Sequence, residues 1–443
     1  MKKSLFAVAA VTAFAGAAQA QSSVTVYGLL DVGYIGGNTR VSNSQYSAKT
    51  TQNQFGQSAE STSRLGFKGV EDLGNGTSAF FTAEFALAPQ DQLSSGNTNG
   101  GLLNRQTFVG LKKNGIGQTA LGLQQTGIFN AVTVTDPGQL NNVAGNVIYA
   151  SGAGGTSASD SGATGIGFTN RISNVITFKT DNFAGFTANA LYSLNNKNAS
   201  EGITTVGTTA NSTVGGNTNM GGWGLGADYT FKKFYVNAQY QAFKQLTTAL
   251  GAPGSTAVWT NPQANGATLA PVAQGTSPVT LAGANAKVTE VIAGSAAVTG
   301  TGVNVQDNQF YVGATYDFGI LKAYAQYLNR KATSTVSPNY FLKRQAEQIG
   351  VRSFITPTVE AWASAGLGRY TAAGTGNPTA NFNAWQLGSN YYLSKRTNLY
   401  AIYGQTLTST SSYSTLSSAG ATTTYNGNSS GASNYAVGVR HTF

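Results

Sequence analysis

The chain contains no cysteine and only one histidine, His441, in 443 residues. Without cysteine there are no disulfides and no thiolate metal sites, so stability has to come from backbone pairing and burial. A lone histidine, third from the end, supplies neither a nucleophile–base constellation nor a histidine metal cluster. Charge is equally scarce: charged residues make up 9% of the sequence, against roughly 25% in an ordinary soluble protein. The 16 acidic residues form no obvious carboxylate pair and no calcium-loop spacing, so no enzyme, metal or other cofactor is expected. The glycine-dense stretch 152–167 lacks the Lys-Ser/Thr ending of a phosphate-binding loop. Past the first twenty residues no run approaches the roughly 18 consecutive apolar residues that a spanning helix needs, so any crossing of a bilayer must be made by strands.

What is present points the same way. The 21 tyrosines and 22 phenylalanines argue against a disordered polar chain. Met1-Lys2-Lys3, the apolar run from Leu5 to Gly16 and Ala18-Gln19-Ala20 have the form of a cleavable export signal. Residues 1–20 are therefore expected to be removed, leaving 21–443 as a single β-barrel domain. Loss of Lys2 and Lys3 leaves 24 basic against 16 acidic residues, a net charge of +8. The basic residues are scattered singly rather than clustered, which favours anionic solutes or a membrane surface over nucleic acid.

Runs of about ten alternating apolar and polar residues recur, joined by connections that are alternately short and long. The short ones are Glu71 to Gly76, Lys113 to Gln118, Asp181 to Gly185, Lys232-Lys233, Phe318-Gly319, Thr356-Pro357 and Leu393 to Thr397, mostly rich in turn-forming residues. The long ones lie at 35–60, 88–103, 125–168, 195–221, 245–306, 331–343, 370–381 and 409–431. This rhythm predicts an all-β, transmembrane antiparallel β-barrel of about 16 strands, with short periplasmic turns, long outer loops and both chain ends on the periplasmic side. All nine prolines fall in these connections, as residues that cannot donate to a strand ladder should.

Alternation also assigns faces. Arg64 and Lys68 share one side of their strand, opposite Leu65 and Phe67. Arg171, Ser173, Thr177 and Lys179 share a side with Val175, opposite Ile172, Ile176 and Phe178. Asn237, Gln239 and Gln241 oppose Val236, Ala238 and Tyr240. In a membrane barrel the apolar side is outside and the polar side lines the lumen. Tyr391, Tyr392, Tyr400 and Tyr403, close to a turn, suit an interfacial girdle or a contact with a neighbouring subunit.

The final run Tyr435-Ala-Val-Gly-Val-Arg-His-Thr-Phe443 ends in an aromatic residue and looks like a C-terminal outer-membrane insertion signal. With Val24-Thr-Val-Tyr-Gly28, Ser63-Arg-Leu-Gly-Phe-Lys-Gly-Val-Glu-Asp-Leu-Gly74, Asn104-Arg-Gln-Thr-Phe-Val-Gly-Leu111 and Leu393-Ser-Lys-Arg-Thr397, it resembles the general trimeric porins of neisserial and β-proteobacterial type. The resemblance spans the mature chain. It implies an outer-membrane homotrimer in contact with lipid and lipopolysaccharide, acting by passive diffusion of small hydrophilic solutes and anions. It also implies a third long loop, here about Gln125 to Phe168, folded into the lumen.

Anion-selective members carry an arginine cluster at the narrowing, and local motif matches carry that role to Arg64, Arg105 and Arg171, with Lys68 on the same pathway. Glu84 and Asp136 are expected to form an opposing acidic side. The chain departs from the family at Leu121-Gly-Leu-Gln124, where an arginine is usual, and in a long, nearly uncharged fifth loop from Gln245 to Gln306. One charge at about 6 Å in water is worth roughly 0.7 kcal/mol, so a lone arginine barely selects, whereas three together reach on the order of 2 kcal/mol before screening. A substrate-specific channel and an adhesin working through its long loops are the competing readings.

Overall fold

Leu387 is 52% exposed and its neighbour Gln386 not at all, and that inversion of the soluble pattern runs around the whole protein. The computed structural model describes residues 23–42, 47–89, 103–149, 171–194, 196–206, 209–219, 221–247, 303–334, 341–372, 379–409, 412–416, 422–426 and 429–443, with four two-residue strands between 255 and 291. The export signal, residues 150–170 of the third loop and most of the fifth loop lie outside the described residues.

The strands of the main sheet begin with β1 (Ser23–Ser42), β2 (Ser47–Gln57), β3 (Arg64–Gly74), β4 (Thr77–Ala86), β5 (Leu103–Lys113) and β6 (Gly117–Gln125). A helix, α1 (Gly127–Thr135), precedes β7 (Arg171–Thr180), β8 (Phe186–Ser193), β9 (Gly222–Phe231) and β10 (Phe234–Thr247). Then come β11 (Val303–Asp317), β12 (Lys322–Ser334), β13 (Phe341–Thr356), β14 (Val359–Ala372), β15 (Thr379–Tyr392), β16 (Thr397–Thr408) and β17 (Ser429–Thr442). Each pairs antiparallel with its neighbours, and β1 closes the ring on β17 from Leu29↔Thr442 to Ser42↔Ser429. The lower half of β1 pairs with β3 and the upper half with β2. These two segments are therefore halves of one barrel strand interrupted at 58–63, and the result is a closed 16-strand barrel. Closure leaves no edge groups unpaired in lipid.

Every short connection falls where the turn residues place it. At the first, Asn75 and Gly76 take φ values of 51° and 66°, the left-handed pair that a two-residue hairpin turn requires. The first long connection is shorter than expected. β1 runs to Ser42 and pairs with β2 through Gly-Gly-Asn-Thr-Arg and Thr-Thr-Gln-Asn-Gln stretches. Threonine-rich polar chain keeps its ladder in water once it has left the membrane, so polarity alone did not mark a loop. Two more hairpins, Asn196–Val206 with Thr209–Asn219 and Ser412–Leu416 with Thr422–Asn426, occupy long connections in the same way.

The apolar core inside the barrel exists because the third loop folds inward. Thr126 caps α1 by accepting from Phe129 N at 3.2 Å. Ile128, Val132, Val147 and Ile148 then bury against Tyr311, Leu328, Tyr370 and Phe382 of the barrel wall. Thr135 and Tyr311 join hydroxyls at 2.6 Å, Val147 N donates to Gln348 Oε1 at 3.0 Å, and the Asn141 and Gln386 amides exchange two bonds. Two of the four tyrosines singled out near the sixteenth strand face out, Tyr391 and Tyr403, as a girdle requires. Tyr392 and Tyr400 face in, donating to Glu360 and Asp31, so they do not belong to it.

Candidate functional site

Arg64 opens β3, directly after the interruption at 58–63, and that interruption aims it. Asp31 Oδ2 accepts from Glu60 N and Ser61 N at 2.8 and 2.7 Å, while Tyr400 donates to Asp31 Oδ1 at 2.6 Å. Asn142 of the folded-in loop donates to Ser58 O from its side chain at 2.7 Å and to Ala59 O from its backbone at 2.8 Å. On this pinned segment the Arg64 guanidinium donates to Thr62 O at 2.9 Å and Ser61 Oγ at 2.7 Å.

Arg105 reaches the lumen by a β-bulge. Thr107, Val109 and Leu111 face outward, so strict alternation would put Arg105 in lipid. The β4–β5 register shifts between Glu84 and Phe85, leaving Arg105 as the extra residue, and a bulge of this kind re-aims a side chain. Its Nε donates to Glu84 Oε1 at 2.8 Å, and Tyr27 OH donates to Glu84 Oε2 at 3.2 Å. Arg171 begins β7 and lies over the Phe129 ring of α1, 5.4 Å from its centroid. A second irregularity, with Asn174 at φ 53°, follows it. That irregularity corrects one face: Ile172 lies inside with Val175, Leu191 and Phe243 rather than opposite Val175.

Arg64, Arg105 and Arg171 line one cavity of about 710 Å³ together with Lys179, which shares the Arg171 face. Lys68 lies on the Arg64 side of β3 toward the short turn, with Nζ 5.4 Å from the Tyr27 ring centroid, and does not line the cavity. The far side of the cavity is α1 and the residues after it: Phe129, Asn130, Thr133, Val134 and Leu140. Lys179 was legible from alternation with Arg171. Asp228 of β9 was missed, although it alternates with the outward Trp223, Leu225 and Tyr229; it is a lining carboxylate that accepts from Tyr235 OH at 2.8 Å and Thr187 Oγ1 at 3.3 Å.

The two acidic residues expected opposite the arginines stand elsewhere. Glu84 is on the arginine wall, bound to Arg105. Asp136, on the folded-in loop and 2% exposed, is turned away from the opening to hold the loop together. It accepts from Leu140 N at 2.8 Å, Asn146 Nδ2 at 2.7 Å and Gln348 Nε2 at 3.1 Å. Burial pushes its carboxyl above the usual range, while those three donors and the nearby Arg352 charge pull the other way. The physical reason is local. The residue that ends α1 is better placed to satisfy loop amides than to face solvent.

Other lumen arginines serve as fasteners. Arg352 forms a two-bond pair with Glu360, both at 2.5 Å, and donates to Pro137 O at 2.7 Å. Arg344 donates to Val147 O and lies over the Phe382 ring at 4.9 Å. Arg330 pairs with Asp307 at 2.6 Å. Basic charge around the cavity is thus kept on one wall, opposite a helix with none.

A closed 16-strand barrel, narrowed from within by its own third loop, is the architecture of an outer-membrane β-barrel protein. Residues 7–411 match the Gram-negative porin family, and the chain belongs to it. Porins are channels rather than enzymes, and the chain is an outer-membrane protein. It is 35% identical over 199 residues to outer membrane porin protein 32 of Delftia acidovorans, an alignment covering 44% of this chain and 51% of the relative. The match to major outer membrane protein P.IB of Neisseria gonorrhoeae is 34% over 153 residues, covering 34% and 40%. The chain therefore spans about half or less of the length of these curated relatives. The solved anion-selective porin from Comamonas acidovorans superposes with a TM-score of 0.57 at 20% identity, over 96% of this chain and 100% of that one. The trimer form of OmpT from Vibrio cholerae gives 0.55 at 14%, over 95% and 99%. Both likenesses show the fold.

Proposed function

We propose that the protein is a non-enzymatic, water-filled channel for passive diffusion of small hydrophilic solutes and ions, with anion preference. The observation that carries this is the one-sided opening: Arg64, Arg105, Arg171 and Lys179 against the uncharged helix α1. Asp228 in the lining and Glu84 bound to Arg105 offset part of that charge, leaving two more basic than acidic groups around the opening. At about 6 Å in water each uncompensated charge contributes roughly 0.7 kcal/mol, enough for preference and too little for capture. Lys68 joins the pathway as a cation between the opening and the short-turn side.

The mature domain is 21–443, after removal of 1–20. The protein works as a homotrimer embedded in outer-membrane lipid and lipopolysaccharide, with subunit contacts on the outer face of the first and last strands. Support comes from a smooth apolar groove there, formed by Val32, Gly33, Phe55, Val437 and Gly438. OmpT of Vibrio cholerae, solved in a trimer form, supports the same assembly.

Purified mature protein in a planar bilayer tests the reading. Conductance steps in threes in KCl are expected, together with swelling of loaded liposomes in small neutral sugars but not in large ones. Absence of conductance at every voltage would remove the channel.

A further inference from the structure

The two sides of the opening differ in more than charge. α1 reads Gly-Ile-Phe-Asn-Ala-Val-Thr-Val-Thr and contains no ionisable side chain. It buries Ile128, Phe129, Ala131 and Val132 and turns Asn130, Thr133 and Val134 toward the cavity. Val134 is 45% exposed, an aliphatic side chain held open to the lumen. Leu140, half-buried, continues that strip, and beside it the Arg171 guanidinium covers the buried Phe129 ring. An inorganic anion gains only from the cationic wall. An anion that carries an apolar body gains from both sides at once.

We propose that this opening is a selectivity site for amphiphilic organic anions, aromatic monocarboxylates above all. The carboxylate passes along Arg64 and Arg171 while the ring passes over Val134 and Leu140. The proposal rests on the channel reading above. A flat ring suits the site because Arg171 already makes one guanidinium–aromatic contact there, and a second planar face extends the same geometry. Covering on the order of 30 Å² of ring at roughly 25 cal/mol per Å² amounts to about a threefold preference.

The test is a pair of bi-ionic potential measurements on the mature full-length protein in a planar bilayer, with potassium benzoate and potassium acetate each set against KCl. The expected benzoate-to-acetate permeability ratio is about three times the ratio of their free-solution mobilities. Val134→Ser, at a half-open position where packing survives the change, brings it back toward the mobility ratio. Arg171→Gln instead lowers both organic anions relative to potassium. A wild-type ratio equal to the mobility ratio, or one that Val134→Ser leaves unchanged, overturns the proposal while chloride conductance keeps the channel. Absence of KCl conductance removes the channel and the proposal with it.

Discussion

Glu84 holds Arg105 at 2.8 Å and takes a second bond from Tyr27, so one arginine of the opening is half-neutralised by its own wall. Removing either member shifts the field in opposite directions. Glu84→Gln is expected to make the reversal potential in a KCl gradient more chloride-favouring, and Arg105→Gln less so. Each leaves a partner without its ion pair, at a cost of about 1–3 kcal/mol; chemical denaturation of the purified protein measures it. Shifts of the same sign in both variants would show that neither charge reaches the permeating ion. Val134→Asp would put a carboxylate on the α1 side of the opening, where the described lining has none, and its expected effect is a smaller chloride preference in the same gradient.

Loop three is a separate element with its own fastenings. Asp136→Ala would strip the acceptor from Leu140 N, Asn146 and Gln348 together, each worth about 1–3 kcal/mol when left unsatisfied. The expected result is a loosened loop, read as noisier open-channel current and new protease cleavage between 126 and 149; quiet current and full resistance would show that the apolar contacts alone hold it. The elements also differ in how well the sequence announced them. Five of the seven turns were legible because Asn, Gly, Asp and Pro have fixed roles in tight hairpins, whereas Lys232-Lys233 and Leu393 to Thr397 hold none of these and showed only as breaks between alternating runs. The helix was not, because Gly-Ile-Phe-Asn-Ala-Val-Thr-Val-Thr is rich in β-branched residues with weak helix preference, and it is held by Tyr311 and Leu328 from distant strands. For Arg64, alternation gave the side of the strand and the motif match its place at the narrowing. Arg105 came only from a motif match, since counting by twos points it into lipid, and the bulge that turns it inward leaves no local mark. Glu84 and Asp136 were found as acidic residues of the lumen, but which wall each would serve depended on partners far away in sequence.

At the scale of the molecule, closure and inversion explain each other. Apolar residues such as Leu387 and Val437 face outward because amide-bearing ones such as Gln386 and Asn434 fill the inside. Closure depends on the last strand, and Phe443 contributes by exchanging both of its backbone bonds with Gly28 at 3.1 Å. Deleting Phe443 should lower the temperature at which the barrel loses its compact electrophoretic mobility, and an unchanged transition would mean that the ring is held by β17 upstream alone. The inward loop then divides a wide lumen into a basic wall and a neutral one. That asymmetry is the central claim, and the reversal potential of single channels in a KCl gradient tests it most directly. Wild type should favour chloride, and Arg64→Gln with Arg171→Gln should move the potential toward zero. A potassium-favouring wild type, or a double variant identical to it, would contradict the assignment of selectivity to this opening.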